Sequence, residues 1–403
     1  MKRIKCLKDY EKCKDCGFCL TVNVCHSIEE CSGCLSCYYA CPYEARLLIN
    51  EDIEPLEFIK VYINDNEYEV PRGITIKRAL EYIGFKIGIY PHEGILQTPC
   101  NTGGCWTCAV LVNDTLERAC ITPVREGMRV NTDVTRKEPL RIVHGPEPHS
   151  VGGKATPWNE KKRHGFVEVA IWVAGCNLRC PQCQNFHVTY DNVTKPMTPS
   201  EAARIVTYYR RLYDVRGIAI SGGEPTLNKR WLISYFRELK KLNREEETRL
   251  HLDSNGTLLT PDYIDELVEA GCNNIGIEPK AVNVETYMHI TGLKDRDLAK
   301  RYLETSWNAI KYIVDNYAEK VYLGVGLIYN SKLISIDEIV KTGEKIASID
   351  PEIQVCVLDY FPAFRRKDLK RPNFREMITV KRLLNEVGLK CVIVQTSIGH
   401  IEP

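Results

Sequence analysis

The chain has 403 residues, enough for roughly two or three domains, and its 44% hydrophobic and 27% charged content is ordinary for a globular protein. Its 54 basic and 53 acidic residues give a net charge of +1, which excludes a strong general attraction to nucleic acid or to an anionic membrane. The first residues, MKRIKCLKDYEKC, lack the apolar stretch of a secretory signal, and no window approaches the roughly 20 apolar residues of a membrane span. We therefore expect a cytoplasmic protein with no nucleic-acid or membrane partner.

The cysteines are the unusual feature of the composition. Of 19 cysteines, nine lie in the first 41 residues, four lie between Cys100 and Cys120, and three lie between Cys176 and Cys183. A secreted disulfide scaffold is the alternative explanation, but the chain is long and places its cysteines in C-x2-C runs. Such closely spaced thiols are better placed to bind one metal centre than to join distant segments, so we predict metal ligation.

Residues 1–50 predict a ferredoxin-like iron–sulfur domain. The run Cys31-x2-Cys34-x2-Cys37-x3-Cys41-Pro42 matches the bacterial ferredoxin spacing, in which the fourth cysteine of each run binds the other cluster. This predicts two 4Fe–4S clusters, one on Cys13, Cys16, Cys19 and Cys41, the other on Cys25, Cys31, Cys34 and Cys37. The first run departs from the pattern because Cys25 is displaced and no proline follows it. A single zinc or rubredoxin-like iron on the pairs Cys13/Cys16 and Cys31/Cys34 is the alternative.

Residues 51–137 predict a β-grasp-like domain with a second metal centre. FIKVYIN and EYEV indicate a hairpin, ITIKRALEYIG a short helix, and CAVLVNDTLERACITPV a second hairpin. The spacing Cys100-x4-Cys105-x2-Cys108, closed by Cys120, resembles the loop of 2Fe–2S ferredoxins. A mononuclear iron or a zinc held by the same four thiolates is the alternative. Residues 138–165, rich in Pro, Gly and His, read as a linker.

Residues 166–403 predict a mixed α/β domain. Six short apolar strands alternate with helical patterns, which favours a parallel sheet closed partly into a (β/α)6 barrel with a C-terminal extension. The expected strands are FVEVAIWV, GIAIS, RLHLDSN, NIGIEP, KVYLGVGLI and IQVCVLDY.

The loop after the first of these strands, AGCNLRCPQCQN, carries Cys176-x3-Cys180-x2-Cys183. Three thiolates leave one iron of a 4Fe–4S cluster without a protein ligand, and an open iron can bind a substrate. The spacing and its place resemble the signature of radical S-adenosylmethionine (SAM) enzymes. The resemblance implies that the open iron binds the amino and carboxylate groups of SAM. Reductive cleavage then yields a 5′-deoxyadenosyl radical that abstracts hydrogen, with these three cysteines at the catalytic centre.

Further motifs follow the next strands. SGGEP places Gly222, Gly223 and Glu224 where the family has its GGE motif; the glycines allow close backbone approach, and the glutamate suits the SAM ammonium. Asp253 and Asn255 in DSNGT stand where activating enzymes contact the SAM ribose. Lys280, in IEPKA, is a further candidate for contact with SAM or substrate, or a solvated lysine at a helix start.

CNLRCPQCQN is most similar to the branch that contains pyruvate formate-lyase activating enzymes, except that Gln182 replaces a common aromatic residue. The N-terminal centres predict an electron relay from an external low-potential donor to the open cluster; the alternative is that they are purely structural or dock a substrate. The layout also resembles the glutamine C-methyltransferases of methyl-coenzyme M reductase in methanogens, which implies a methyltransferase that uses cobalamin. No D-x-H-x-x-G motif and no separate cobalamin domain accompanies it. We rank peptide C-methylation above glycyl-radical activation of a partner protein, and above a non-catalytic electron carrier.

Overall fold

A computed structural model describes residues 2–25, 31–52, 57–161 and 165–403 of the chain. Residues 162–164, near the end of the predicted linker, lie outside this description. No helix within the described residues is long and apolar enough to cross a membrane.

The N-terminal region is a small layer of helices beside one hairpin-like pair of strands. Strands β1 (Lys2–Lys8) and β2 (Arg46–Asp52) pair antiparallel, with Cys6 opposite Leu48. Between them lie two single-turn helices, α1 (Phe18–Thr21) and α2 (Ser36–Ala40). The first and last strands of the region therefore pair with each other, and the cysteine runs lie between them in the chain.

The next region has the predicted β-grasp character. Its five-stranded sheet has the order β4-β3-β9-β7-β8 and packs against α3, whose first turn Thr75 caps by accepting the Arg78 N–H. Asn113 and Asp114 form the predicted second turn, and both have positive φ as a two-residue hairpin turn requires. The elements are β3 (Phe58–Ile63), β4 (Asn66–Pro71), α3 (Ile76–Tyr82), β5 (Ile87–Gly88), β6 (Leu96–Gln97), β7 (Ala109–Val112), β8 (Thr115–Arg118) and β9 (Arg129–Asn131).

The rest of the chain forms a nine-stranded sheet whose strands neighbour each other in chain order. The central seven, β11 to β17, are parallel, and the edge strands β10 and β18 are antiparallel to their neighbours. The strands are β10 (Val143–His149), β11 (Glu168–Val173), β12 (Gly217–Gly222), β13 (Arg249–Ser254), β14 (Asn274–Ile277), β15 (Tyr322–Tyr329), β16 (Gln354–Asp359), β17 (Cys391–Thr396) and β18 (Gly399–Ile401).

Helices connect successive parallel strands, and right-handed crossovers in a sequential sheet put them all on one face. The opposite face becomes the inside of a partial barrel, as the prediction of an α/β fold requires. The connecting helices are α5 (Phe186–Thr189), α6 (Pro199–Leu212), α7 (Lys229–Leu242), α8 (Pro261–Glu269), α9 (Val284–Thr291), α10 (Arg296–Tyr317), α11 (Ile336–Ile349) and α12 (Phe374–Glu386), and the single-turn α4 (Trp158–Lys161) precedes β11.

Two features differ from the expectation. The six predicted strands are all present, but CVIVQT adds a seventh parallel strand, β17, inside the stretch taken as a C-terminal extension. Residues 143–149, within the expected linker, form β10 on the barrel sheet. The prolines and histidines of β10 obscure the alternation of apolar and polar residues that would predict a strand. Its extended conformation is instead stabilised by pairing with β11.

Candidate functional site

The three cysteines of the loop after β11 face one cavity. Cys176, Cys180 and Cys183 line a cavity of about 180 Å³ at the C-terminal ends of the parallel strands. Two hydrogen bonds fix the conformation of the loop: Asn177 Nδ2 donates to Thr257 Oγ1 at 2.8 Å, and Arg179 Nη1 donates to the Cys176 carbonyl at 2.7 Å. Barrel folds place their chemistry at this end of the sheet.

The surroundings and the chemistry of these three thiols suit an iron–sulfur cluster. Burial raises the pKa of all three, and that of Cys180 to about 12. The nearby Lys280 ammonium opposes this rise at Cys180 and Cys183. Buried thiols of this kind become thiolates when a metal replaces the proton, and three soft sulfur donors around one cavity suit iron. The donor set therefore fits a 4Fe–4S cluster with one open iron.

The two glycines after β12 are explained by contact with the cysteine loop rather than by a ligand. A side-chain Cβ at Gly222 would stand 2.3 Å from the Val173 nitrogen, and one at Gly223 would stand 2.2 Å from the Gly175 oxygen. Both glycines still line the cavity. Their absence of a side chain lets the end of β12 lie directly beneath the cysteine loop.

Glu224 is fully buried and already hydrogen-bonded by the protein. Its Oε1 accepts from the Thr226 N–H, the Thr226 hydroxyl and the Ser254 hydroxyl at 2.7–3.0 Å, and its Oε2 accepts from the Asn255 N–H at 2.7 Å. The carboxylate thus joins the end of β12 to the end of β13. It lines the cavity, but it has at most one lone pair to offer a SAM ammonium.

The predicted residues of β13 and of the following loop lie in the same cavity. The Nδ2 of Asn255 donates to Asn177 Oδ1 at 3.1 Å and stands 4.0 Å from Cys176 Sγ. Asp253 Oδ1 stands 3.1 Å from His251 Nε2. The structure therefore brings Asp253 and Asn255 to the three cysteines, as the motif order predicts.

Lys280 belongs to a compact group of charges on the cavity wall. Its ammonium pairs closely with Glu278 Oε1, which also accepts from the Tyr360 hydroxyl at 3.2 Å. Burial raises the pKa of Glu278, but the Lys280 and Lys154 ammonium groups outweigh it, and the net pKa falls. Lys280 is thus a paired, buried cation and not a solvated lysine at a helix start.

Sequence reasoning missed Lys154, which comes from the expected linker. Residues 152–156, here called the plug, pass through the inside of the barrel, and Lys154 Nζ stands 3.5 Å from Glu278 Oε2 and 3.7 Å from Asp253 Oδ1. Glycines on β14 and β15 make room for it: Cβ atoms at Gly276, Gly324 and Gly326 would stand 2.1–2.9 Å from Lys154 atoms. The one sequence signal for the plug is its glycine pair, Gly152–Gly153.

Side chains of the strands fix the plug by its backbone. Asn274 Nδ2 donates to the Ala155 carbonyl at 2.7 Å, and Gln354 Nε2 donates to the Lys154 and Thr156 carbonyls at 2.8 and 2.9 Å. Glu168 Oε1 accepts from the Gly153 N–H at 2.8 Å. His251, fully buried, stands between Glu168 and Asp253 and is a structural group of this network.

Gln182 is buried on the cavity wall, at a position where many proteins with this cysteine signature have an aromatic residue. Its Nε2 donates to the Ile290 carbonyl at 2.7 Å, and its Oε1 has no hydrogen-bond partner among the described residues. The side chain therefore ties the cysteine loop to α9 and offers no ring for stacking.

The second cysteine group is collected in one place. Cys100, Cys105, Cys108 and Cys120 are each at most 3% exposed. Interactions with Cys105 and Cys120 lower the pKa of Cys100, and an interaction with Cys120 lowers the pKa of Cys108, so the four thiols are close neighbours. Four adjacent buried thiols supply the number of ligands that a two-iron cluster needs, whereas no three His, Cys, Asp or Glu side chains in the described ranges are placed to hold a single metal ion.

This second group lies against the loop of the first. A Cβ at Gly175 would stand 2.7 Å from the Cys105 nitrogen, and one at Gly104 would stand 2.7 Å from the Gly175 nitrogen. Arg179 bridges the two groups, since its Nη2 donates to the Cys100 carbonyl at 2.5 Å while its Nη1 binds the Cys176 carbonyl. The two cysteine loops are therefore in backbone contact.

The N-terminal group also reaches the same loop, through Arg365. The Arg365 N–H donates to the Pro181 carbonyl at 2.9 Å, between Cys180 and Cys183. Its guanidinium donates to the carbonyls of Tyr38, Tyr39 and Cys41 at 2.9–3.0 Å. Within the N-terminal region, Cys25 lies near Cys31, Cys34 and Cys37, the group predicted for it. For the second predicted group, Cys13, Cys16, Cys19 and Cys41, the described contacts do not join the four sulfurs, and this grouping stays a prediction from spacing.

Comparison with known proteins finds two family matches in the chain. Residues 171–343 match the radical SAM superfamily, and residues 57–135 match the 2Fe-2S iron-sulfur cluster binding domain. A "Probable GTP 3′,8-cyclase" of Methanococcus aeolicus is 34% identical over 134 residues, which are 33% of this chain and 43% of that protein. A Methanocaldococcus jannaschii protein whose name describes a glycyl-radical enzyme activating enzyme is 33% identical over 103 residues, 26% of this chain and 38% of that protein.

The matched region thus spans about two fifths of the length of these relatives. Among solved structures, Streptococcus suis SuiB bound to its precursor peptide SuiA has a TM-score of 0.41 and 14% identity, over 52% of this chain and 43% of that chain. The likeness to the glutamine C-methyltransferases stays a prediction from the layout. The predicted resemblance is confirmed at the level of domains: residues 171–343 match a radical SAM domain, and residues 57–135, before it, match a 2Fe–2S cluster binding domain.

Proposed function

We propose that this protein is a radical SAM enzyme whose N-terminal iron–sulfur centres deliver the electron that cleaves SAM. The observation that supports it best is the backbone contact between Cys105 and Gly175, the residue before Cys176. A 4Fe–4S cluster held by Cys176, Cys180 and Cys183 would supply an open iron for SAM and the electron that releases the 5′-deoxyadenosyl radical.

The chain's own residues prepare the cavity for this chemistry. The three cysteines are half-buried, and the paired Lys280 and Lys154 balance the charges of Glu278 and Asp253. Gly222, Gly223, Glu224, Asp253, Asn255 and Lys280 all line the cavity and are proposed as the residues that surround SAM.

Two contacts support the relay. Arg179 joins the Cys100 and Cys176 carbonyls, and Arg365 joins the Cys41 and Pro181 backbones. Each N-terminal centre therefore has a short protein path to the radical SAM loop. An external low-potential electron donor is proposed to reduce these centres.

The proposed substrate is a residue of a partner protein. C-methylation, including that of a glutamine in methyl-coenzyme M reductase, is the reaction that the domain layout favours. The lining of the described cavity includes no histidine that could bind cobalt, so none of these residues marks a cobalamin site. We derive no step through cobalamin, and the methylation proposal then needs another methyl donor, such as a second SAM.

Glycyl-radical formation on a partner protein is the second candidate. The partial likeness to the M. jannaschii protein named as an activating enzyme favours it. This reaction needs hydrogen abstraction alone and no methyl donor, which suits a small cavity.

The relay is tested by comparing two cysteine variants. Cys105→Ser removes a proposed ligand of the second group, whereas Cys272→Ser changes a buried cysteine distant from the clusters in sequence and role. We expect C105S to slow SAM cleavage when electrons come from a protein donor and to leave cleavage by excess dithionite near the C272S rate. Equal slowing with both reductants would show that the second group supports structure and carries no electrons.

The reaction is tested by product analysis after anaerobic reconstitution, reduction and addition of SAM and a candidate protein. 5′-Deoxyadenosine with S-adenosylhomocysteine and a methyl mass on the protein would establish C-methylation. 5′-Deoxyadenosine with a glycyl radical signal would establish activation. No 5′-deoxyadenosine under any reductant would overturn the enzyme proposal in favour of a non-catalytic carrier.

A further inference from the structure

The N-terminal region has one cysteine more than two four-cysteine clusters require. Eight of its nine cysteines are assigned by spacing, and Cys6 on β1 is left over. It is 3% exposed, and its Sγ stands 3.3 Å from the Sγ of Cys37. A buried thiol in contact with a proposed ligand needs an explanation.

Cys6 lies outside both sets of ligands that the spacing predicts. Cys25, Cys31, Cys34 and Cys37 already supply one thiolate for each iron of the second predicted cluster, so that cluster does not need Cys6 as a ligand. Cys25, by contrast, lies within electrostatic reach of Cys31, Cys34 and Cys37, and together with burial these thiols raise its pKa to about 11. The spacing predicts Cys25 as the fourth ligand, and Cys6 is then a neighbour of the ligand Cys37.

A second donor stands between the two predicted clusters. Arg46, opposite Lys8 in the β1–β2 pairing, donates from Nη2 to Cys19 Sγ at 3.0 Å. Its charge also acts on Cys37 and Cys6. The Arg46 guanidinium thus donates a hydrogen bond to a ligand of the first predicted cluster and lies close to a ligand of the second.

We propose that Cys6 and Arg46 are positioning residues that donate hydrogen bonds to the ligand sulfurs of Cys37 and Cys19. They thereby hold both N-terminal clusters at less negative reduction potentials. Iron binding deprotonates Cys37, so only the Cys6 thiol can then supply the proton between the two sulfurs. A donor to a ligand sulfur draws charge from the cluster and favours the reduced form. This inference rests on the proposed 4Fe–4S centres.

The test is an EPR-monitored redox titration of the full-length reconstituted protein without SAM, together with iron and sulfide analysis. Cys6→Ala is expected to keep the wild-type iron content and to shift one N-terminal cluster to a more negative potential. Cys6→Ser, which keeps a hydroxyl donor, is expected to fall between C6A and wild type. Cys391→Ala, in the barrel, is the matched control and is expected to shift neither cluster.

Arg46→Gln is the independent variant and is expected to shift both N-terminal clusters to more negative potentials. Lys60→Gln, which loses the same charge from an exposed pair with Glu67, is its control. Loss of iron from C6A would overturn the proposal by making Cys6 a ligand, and unshifted potentials in C6A and R46Q would overturn it as well. Because these potentials are measured without SAM, the outcome of this test does not depend on whether the protein cleaves SAM.

Discussion

The barrel and the N-terminal region are stabilised in opposite ways. The barrel encloses one continuous core, in which Trp231, Tyr235 and Phe236 of α7 are fully buried. The described part of residues 2–52 buries few apolar side chains and leaves Leu47, Leu48 and Ile49 of β2 substantially exposed. The same chain therefore combines a region folded by apolar burial with one that has too little core to fold without another source of stability.

This difference indicates which region of the chain depends on iron for its folding. Below about 40–70 residues a domain usually needs a disulfide, a metal or a partner, and the free cysteines of the N-terminal region are grouped for metal. The barrel needs iron for its proposed chemistry only. Iron supply should then control the fold of one region and the activity of the other.

Removal of iron is expected to have the largest effect. After anaerobic chelation, the β1 and β2 amides should exchange hydrogen as in an unfolded chain, because metal-binding free energy is folding free energy in such regions. The amides of β12 to β15 should keep their protection. Hydrogen exchange with mass spectrometry measures both, and equal loss of protection in the two regions would contradict the comparison.

Removal of a core side chain should act on the barrel alone. Phe236→Ala is expected to lower the free energy of unfolding of the barrel by about 3–5 kcal/mol, because a fully buried aromatic leaves a cavity. Tyr208→Ala, at an exposed aromatic of α6, is the control and should change it by less than about 0.5 kcal/mol. Urea unfolding followed by circular dichroism measures the difference, and an equal effect of the two substitutions would refute the assignment of the core.

The contact between the two regions should be weakened by a single arginine. Arg365→Ala removes charged donors to three N-terminal carbonyls, each worth about 1.5–3 kcal/mol at most, and leaves those carbonyls partly unsatisfied. We expect faster protease cleavage between the regions, with the barrel intact. Arg366→Ala, whose guanidinium binds only the nearby Asp368 among the described contacts, should leave the cleavage rate unchanged.

The smallest effect concerns pH. Burial lowers the pKa of His251, but Asp253 and Glu168 outweigh burial and the net pKa is raised. A raised folded pKa gives stability that is complete below the unfolded histidine pKa of about 6.5 and is lost as pH rises through the folded value. The urea midpoint of the barrel should therefore fall from pH 6 toward pH 9. His251→Gln should flatten this dependence, whereas His92→Gln, at an exposed histidine, should preserve it.

Much of the site could be predicted because it follows local spacing. The C-x3-C-x2-C loop, SGGEP and DSNGT each follow a strand, and parallel strands bring their C-terminal ends to one edge. That is why Cys176, Gly222 and Asn255 share a cavity although they are up to 79 residues apart. The role of Glu224 could not be predicted in this way, because two of its four hydrogen bonds come from Ser254 and Asn255 at the end of another strand.

The sequence by itself determined the alternation of strands and helices, the grouping of the cysteines and the order of the motifs, since each depends on neighbours within one element or loop. Only the tertiary structure decided that residues 152–156 enter the barrel, that Cys105 lies against Gly175, and that Cys6 touches Cys37. Those contacts join residues between 31 and about 200 positions apart, and no local pattern encodes which distant backbone will fill the space that strand glycines leave open.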